Sequence, residues 1–210
     1  MANLKGRPCA AQPAVIEVRM RCPNCKHQGT FDAFAGLADL ALADGFVVGQ
    51  RSCPNPECLA HVFFVTKNNR VVASYPAERI DFDATSIPAA VVAALQEAIT
   101  CHAEGCFVAA AIMVRKTLEE LCRDRGATGA NLKDRLKALG AKVVTPQELL
   151  DGMDDLRLLG NDAAHIESET YRQVGREELE VAIMFAKEVL KAVYQYSTLL
   201  GRLRALKKAP

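Results

Sequence analysis

The chain has 210 residues, 50% hydrophobic and 24% charged, with a formal net charge of +1. That is the composition of an ordinary globular protein with one sizeable domain or two small ones, and it generates no strong overall field. No run reaches the roughly 18 continuous apolar residues of a membrane span; the richest, Phe107 to Val114, stops at Arg115. The N-terminus lacks the basic, apolar and small-residue succession of a signal peptide. A cytoplasmic location without membrane contact is therefore expected, and the eight cysteines read as metal ligands and buried thiols rather than disulfides.

Charge is uneven along the chain. Residues 1–30 carry Lys5, Arg7, Arg19, Arg21 and Lys26 against Glu17, and the tail carries Arg202, Arg204, Lys207 and Lys208 with no acid. Basic ends suit nucleic acid or an acidic protein surface, although solvated termini commonly look the same.

The first 75 residues read as a β module. Val15 to Arg21 alternates, with Ile16, Val18 and Met20 on one face, and runs into Cys22-Pro23-Asn24-Cys25,. The strand-like Phe46 to Ser52 leads into a second knuckle, Cys53-Pro54-Asn55-Pro56-Glu57-Cys58. Val62 to Thr66 and Arg70 to Ser74 flank Lys67-Asn68-Asn69, a hairpin turn because Asn tolerates positive φ. Between the knuckles, the Ala/Leu-rich Phe31 to Asp44 is expected to form a short helix. Cys9 sits in a Pro-containing tail and is left out of the site.

Four thiolates from Cys22, Cys25, Cys53 and Cys58 at strand ends suit tetrahedral Zn2+. Four cysteines close the coordination shell, so the expected metal is structural, a clasp for a β unit too small to hold itself together. His27 and His61 stand beside the knuckles as substitute ligands or supporting groups. A basic strand face with modest aromatic supply (Phe31, Phe46, Phe63, Phe64, two of them in the core) leaves nucleic-acid contact as a second role.

Tyr75 to Pro88 has no helical period and carries the domain connection, with residues 76–85 as the linker. Residues 86–208 then read as helical. Ser86 is expected to cap a first helix with Pro88 in its first turn, ending near Glu104 before Gly105. A second helix runs from about Cys106 to Arg125 with a broad apolar stripe, stopped by Gly126. Asn131 caps a third over Leu132 to Leu139, Thr145-Pro146 opens a fourth, and a fifth spans about Arg176 to Lys207. His102 is expected at a surface helix end, and Cys101, Cys106 and Cys122 as buried thiols. The fold class is thus α+β: a small zinc-ribbon module followed by an all-α bundle. The last helix has more apolar surface than a small bundle covers, which points to self-association.

The fourth helix carries Leu156 to His165. If it stays helical there, Arg157, Asn161 and His165 fall at i, i+4 and i+8 on one face. A cation, an amide and an imidazole together can hold a phosphate or move a proton. The plainer reading is a structural, hydrogen-bonded histidine between Ala164 and Ile166.

Glu97-Ala98, Ala109 to Arg115 with Leu118-Glu119, Asn131-Leu132-Lys133, and above all Gly160-Asn161-Asp162-Ala163-Ala164-His165 resemble domain-of-unknown-function family 4145, regarded as part of the HEPN superfamily of helical domains. The resemblance covers about residues 86–200, and the Cys-rich segment resembles the zinc ribbon that often precedes such domains. It implies a homodimeric helical domain of prokaryotic defence, toxin–antitoxin or restriction contexts, in which many relatives are metal-independent endoribonucleases. Their usual pattern places four to six residues between a catalytic Arg and His; here seven separate Arg157 from His165, and Leu158 follows the arginine.

Two functions compete. In one, the chain is a non-catalytic interaction and regulatory module, a dimer whose zinc ribbon recognises RNA, DNA or a partner protein of a defence or restriction system. Gly160 and the alanines then permit close helix approach, while Asn161 and His165 satisfy buried polar groups. In the other it is an endoribonuclease at a dimer interface. His165 is then the general acid or base, Arg157 stabilises phosphorane-like charge, Asn161 orients the phosphate or the imidazole, and Arg115, Glu119 and Arg123 add polar contacts. The displaced arginine favours the first. A metalloenzyme and a nucleotide hydrolase have no supporting ligand spacing or phosphate loop.

Overall fold

The computed structural model describes residues 8–12, 16–143, 145–164 and 174–207, except for the side chains of residues 8–12, 43, 162 and 197. It is α+β, a β-rich region followed by a helical one. The chain divides into two compact units, Met1–Asp81 and Phe82–Pro210. Among the described residues, no helix is long and apolar enough to cross a membrane.

In the first unit, strands β1 (Pro8–Gln12), β5 (Asp39–Leu42), β6 (Phe46–Ser52), β7 (His61–Lys67) and β8 (Arg70–Tyr75) form an antiparallel sheet in the order β1-β5-β6-β7-β8, with β4 (Asp32–Ala33) also on β6. Strands β2 (Arg19–Arg21) and β3 (Gln28–Thr30) make a separate hairpin. Asn68 and Asn69 both take positive φ (49° and 64°) in the β7–β8 turn, the geometry that matches the strands' right-handed twist. The alternation from Ile16 to Met20 holds in burial, with Val18 and Met20 inside, although only Arg19–Arg21 is laddered. Val18, Met20, Phe31, Val62 and Phe64 build the core, together with Cys22 and Cys53.

Two expectations fail here. Phe31 to Asp44 is not a helix: β4, β5 and a 3-10 turn (Ala43–Gly45) replace it. Its Ala and Leu favour helix as isolated residues, but sheet edges on both sides and the buried partner of Asp39 decide for strand. Cys9 does not lie in a loose tail, because Pro8–Gln12 pairs with β5.

The second unit holds α1 (Ala89–Ala103), α2 (Phe107–Asp124), α3 (Leu132–Gly140), α4 (Gln147–Ala164) and α5 (Arg176–Leu190). Helix α5 runs through a π-helical turn (Lys191–Gln195) into α6 (Tyr196–Ala205). Helix α2 is the hub, packed against α1, α3, α4 and α5, which follows from its wide apolar stripe of Ala110, Ala111, Val114, Leu118 and Leu121, all buried,. Gly105 and Gly126 end α1 and α2 with φ of 76° and 63°, the left-handed stop that glycine adopts without strain. Asn131 caps α3, its side chain accepting from the Asp134 amide at 3.0 Å,. Ser86 does not cap α1: Pro88 occupies the N-cap, with no side-chain cap bond.

The π turn is pinned to α2. Tyr194 is buried and donates its hydroxyl to Asp124 at 2.8 Å. Arg125 stacks 4.1 Å over the Tyr194 ring and donates to the Val193 carbonyl at 3.2 Å. Burial raises the Tyr194 phenol well above its ordinary value, and the Asp124 carboxylate adds to the rise,.

Candidate functional site

The two knuckles bring their cysteines together. Among the described residues, the sulfurs of Cys22, Cys25, Cys53 and Cys58 lie within 4.8 Å of one another. Cys22 and Cys58 are 3.8 Å apart and Cys25 and Cys53 3.6 Å. Both separations far exceed the roughly 2.05 Å of a disulfide. They match the edge of about 3.8 Å that a tetrahedron of thiolates has at a metal–sulfur distance of about 2.3 Å.

Local backbone aims the sulfurs. In the first knuckle, Lys26 takes φ 65° and donates its amide to the Cys22 carbonyl at 3.1 Å, while the Cys22 amide donates to His27 at 2.8 Å. The second knuckle absorbs its two extra residues in a turn: the amides of Cys58 and Leu59 both reach the Asn55 carbonyl (2.9 and 3.0 Å), and the Glu57 amide reaches Asn55 Oδ1 at 3.0 Å. The second knuckle therefore closes as well as a two-residue spacing would.

The surroundings favour anionic sulfur on one side of the cluster. Asn24 Nδ2 donates to the Cys58 sulfur at 3.3 Å and is the main reason its thiol falls to about 6. Burial pushes Cys53 up to about 12. A buried neighbour thus resists ionising beside a favoured thiolate, and a bound cation removes that conflict. His27 and His61 are not in the cluster: the His61 ring packs at a tilt against Phe34, with ring centroids 4.6 Å apart. Four sulfurs with no carboxylate or imidazole suit a soft, closed-shell metal site.

A charged feature under this sheet was not anticipated. Arg51 donates from Nη1 and Nη2 to both oxygens of Asp39 (2.8 and 2.7 Å), and both side chains are sealed, at 2% and 1% exposure. Arg51 also donates to the carbonyls of Gln50 (2.8 Å) and Ile16 (3.0 Å) and lies 4.6 Å over the Phe64 ring. A Cβ at Gly49 would collide with Asp39 and come within 2.9 Å of the Phe64 ring, so the strand leaves a gap there for the pair. The sequence signal was an arginine on the same face of β6 as Val47 and Gly49.

On α4, the motif side chains turn to different partners. Arg157 forms a two-pronged pair with Asp154 of its own helix (2.6 and 3.2 Å), which holds the Asp154 carboxyl below its ordinary value. Asn161 Oδ1 accepts from Arg115 of α2, and Arg115 also pairs with Glu119 at 3.4 Å. Gly160 is the contact point between the helices. A Cβ there would stand 2.5 Å from the Arg115 Cβ and 3.1 Å from the Ala111 carbonyl oxygen. His165 lies outside the described residues.

Two other expectations are corrected. His102 is buried at the end of α1, where its Nε2 donates to the Arg176 carbonyl at 3.2 Å, so it ties α1 to α5 instead of facing solvent. Cys106 is exposed; Cys122 is buried and pushed up to about 11, mainly by that burial. An apolar groove of about 510 Å3 between α4 and α5 is lined by Leu156, Leu159, Val181 and Phe185 with Asp155 and Glu177.

A helical unit organised around an α2 hub, preceded by a β unit with a four-cysteine cluster, is the class of protein that these features define. Residues 96–209 match the model of a domain of unknown function (DUF4145), and the chain belongs to that family. Neither the curated proteins nor the solved structures contain a match.

Proposed function

We propose that this chain is a non-catalytic interaction module: a HEPN-like helical domain that self-associates, carrying a structural zinc ribbon, and acting by binding nucleic acid or a partner protein in a prokaryotic defence or nucleic-acid-linked process. The observation that carries it is the engagement of the motif side chains in packing. Arg157 is neutralised by Asp154, and Asn161 is held by Arg115 across the α2–α4 contact. A nuclease would need that guanidinium aimed at a phosphate, so its local pairing supports a binding role.

Cys22, Cys25, Cys53 and Cys58 would hold Zn2+, supported by the sulfur spacing and the all-sulfur donor set. With four thiolates the ion supplies cross-linking of the fold and keeps no open position for substrate. The β unit then presents Phe63 and Tyr75, exposed and paired on adjacent strands, as surface for a partner.

The deciding experiment incubates the purified protein and its His165→Ala variant with mixed RNA, without added metal. Intact RNA with both proteins folded is the expected result. Cleavage by the parent and not by the variant would replace this reading with a metal-independent endoribonuclease built on His165, Arg157 and Asn161.

A further inference from the structure

The outer side of the α5–α6 helix carries apolar side chains that no described residue of its own unit covers. Val181 is 67% exposed and Met184 54% on α5, and Leu200 and Leu203 are 51% and 60% exposed on α6. Glu177, Val181, Met184 and Glu188 follow one another at spacings of four, three and four residues, and so do Tyr196, Leu200, Leu203 and Lys207. Each set follows one helix face, with Lys207 just past the end of α6,. On an uninterrupted helix the two stripes would stand about 100° apart, and the π turn, one residue wider than an α turn, takes up roughly that angle. The stripe is therefore continuous over the whole length of α5 and α6.

Its charge is divided. The α5 part carries exposed Glu177, Glu178, Glu180 and Glu188 (the last paired with Lys191) and one exposed base, Arg176, which lies over the Phe107 ring. Residues 196–207 hold exposed Arg202, Arg204 and Lys207 and no acid. We infer that this stripe is the interface with a second copy of the chain, the two helices running antiparallel about the π turn. The inference rests on the self-association reading above and assigns its surface and direction. Antiparallel pairing sets Val181 against Leu203 and Met184 against Leu200, twice over by symmetry, and brings the acidic end of each helix beside the basic end of the other. Parallel pairing would stack acid on acid and base on base. Val181 and Glu177 also line the α4–α5 groove, which gives the partner's leucines a recess.

The test measures the mass of the full-length protein by light scattering at concentrations up to about 50 µM. The wild type is expected to be a dimer. Met184→Asp with Leu203→Asp, both at exposed positions, should weaken the dimer by about a hundredfold or more while leaving the helical circular dichroism unchanged. Glu177→Lys with Glu180→Lys, and separately Arg204→Glu with Lys207→Glu, should each weaken it about tenfold or more at low salt. All four charge reversals in one chain should restore it. A monomeric wild type overturns both this inference and the self-association reading. A dimer unaffected by Met184→Asp/Leu203→Asp overturns the assigned surface alone, and single-end reversals that fail to rescue one another overturn the antiparallel direction.

Discussion

Replacing Arg51 by methionine removes the side chain that, among the described residues, is bonded to the Asp39 carboxylate. Arg51 makes four hydrogen bonds, two of them to Asp39 and one each to the carbonyls of Gln50 and Ile16. With the arginine gone, a carboxylate at 1% exposure keeps neither of those bonds nor a compensating charge. Breaking a buried pair from one side in this way costs about 3–5 kcal/mol. Asp39→Ala is milder: Arg51 retains two carbonyl acceptors and the Phe64 ring, so about 2–3 kcal/mol is expected. The double variant should fall short of the sum of the two by about 2 kcal/mol, because neither charge is then left alone. Hydrogen exchange of peptides covering β6 and β7, followed across a urea series, reads the opening energy of this unit specifically. A loss below about 1 kcal/mol for Arg51→Met, or simple additivity in the double variant, would refute a sealed and mutually dependent pair.

Gly160→Val should cost about 1–3 kcal/mol in urea unfolding of the helical unit, since its Cβ must displace Arg115 or the Ala111 carbonyl,. Cys22→Ser and Cys53→Ser should each reduce bound zinc, measured by atomic emission, from one ion per chain to well below it; chelation of the parent should loosen β6–β7 exchange while sparing α2. Asp154→Asn should destabilise by about 0.5–1 kcal/mol at neutral pH. Because Arg157 lowers the folded Asp154 value below the ordinary 3.8, that contribution is complete above 3.8 and fades as pH falls through the lower folded value. The gap between parent and variant should therefore close in strong acid, and a gap that widens there would reverse the assigned sign.

Where a short stretch settles its own conformation, the chain could be read directly. The strand at Phe46 to Ser52, the Asn68-Asn69 turn, the Asn131 cap and the glycine stops at 105 and 126 all recur in the structure. The cluster of Cys22, Cys25, Cys53 and Cys58 was legible because paired cysteines in two knuckles are chemically conspicuous, even with an unusual spacing in the second. What resisted reading depends on distant partners. Asp39 becomes a strand residue because Arg51, twelve positions away, takes its carboxylate, and Pro8–Gln12 becomes a strand only when β5 is there to pair with it. The tie of Asn161 to Arg115 likewise spans 46 positions; the sequence showed both residues but not which of several acceptors the guanidinium would choose. Ser86 failed as a cap because Pro88, with φ fixed, already fills that position,.

The π turn makes chain length, and not only chemistry, a constraint on this protein. Deleting one residue between Lys191 and Gln195 would let the backbone relax into an ordinary α-helix, with no bond lost along it. Everything beyond would keep its direction, because the five residues of the π turn rotate the chain about as far as four at α geometry,. Giving the same five residues α geometry without a deletion would instead rotate the rest by roughly 100°, and Leu203 would swing away from the line of Val181,. Loss of one residue in this turn should accordingly be tolerated far better than loss or gain of one elsewhere in α5 or α6.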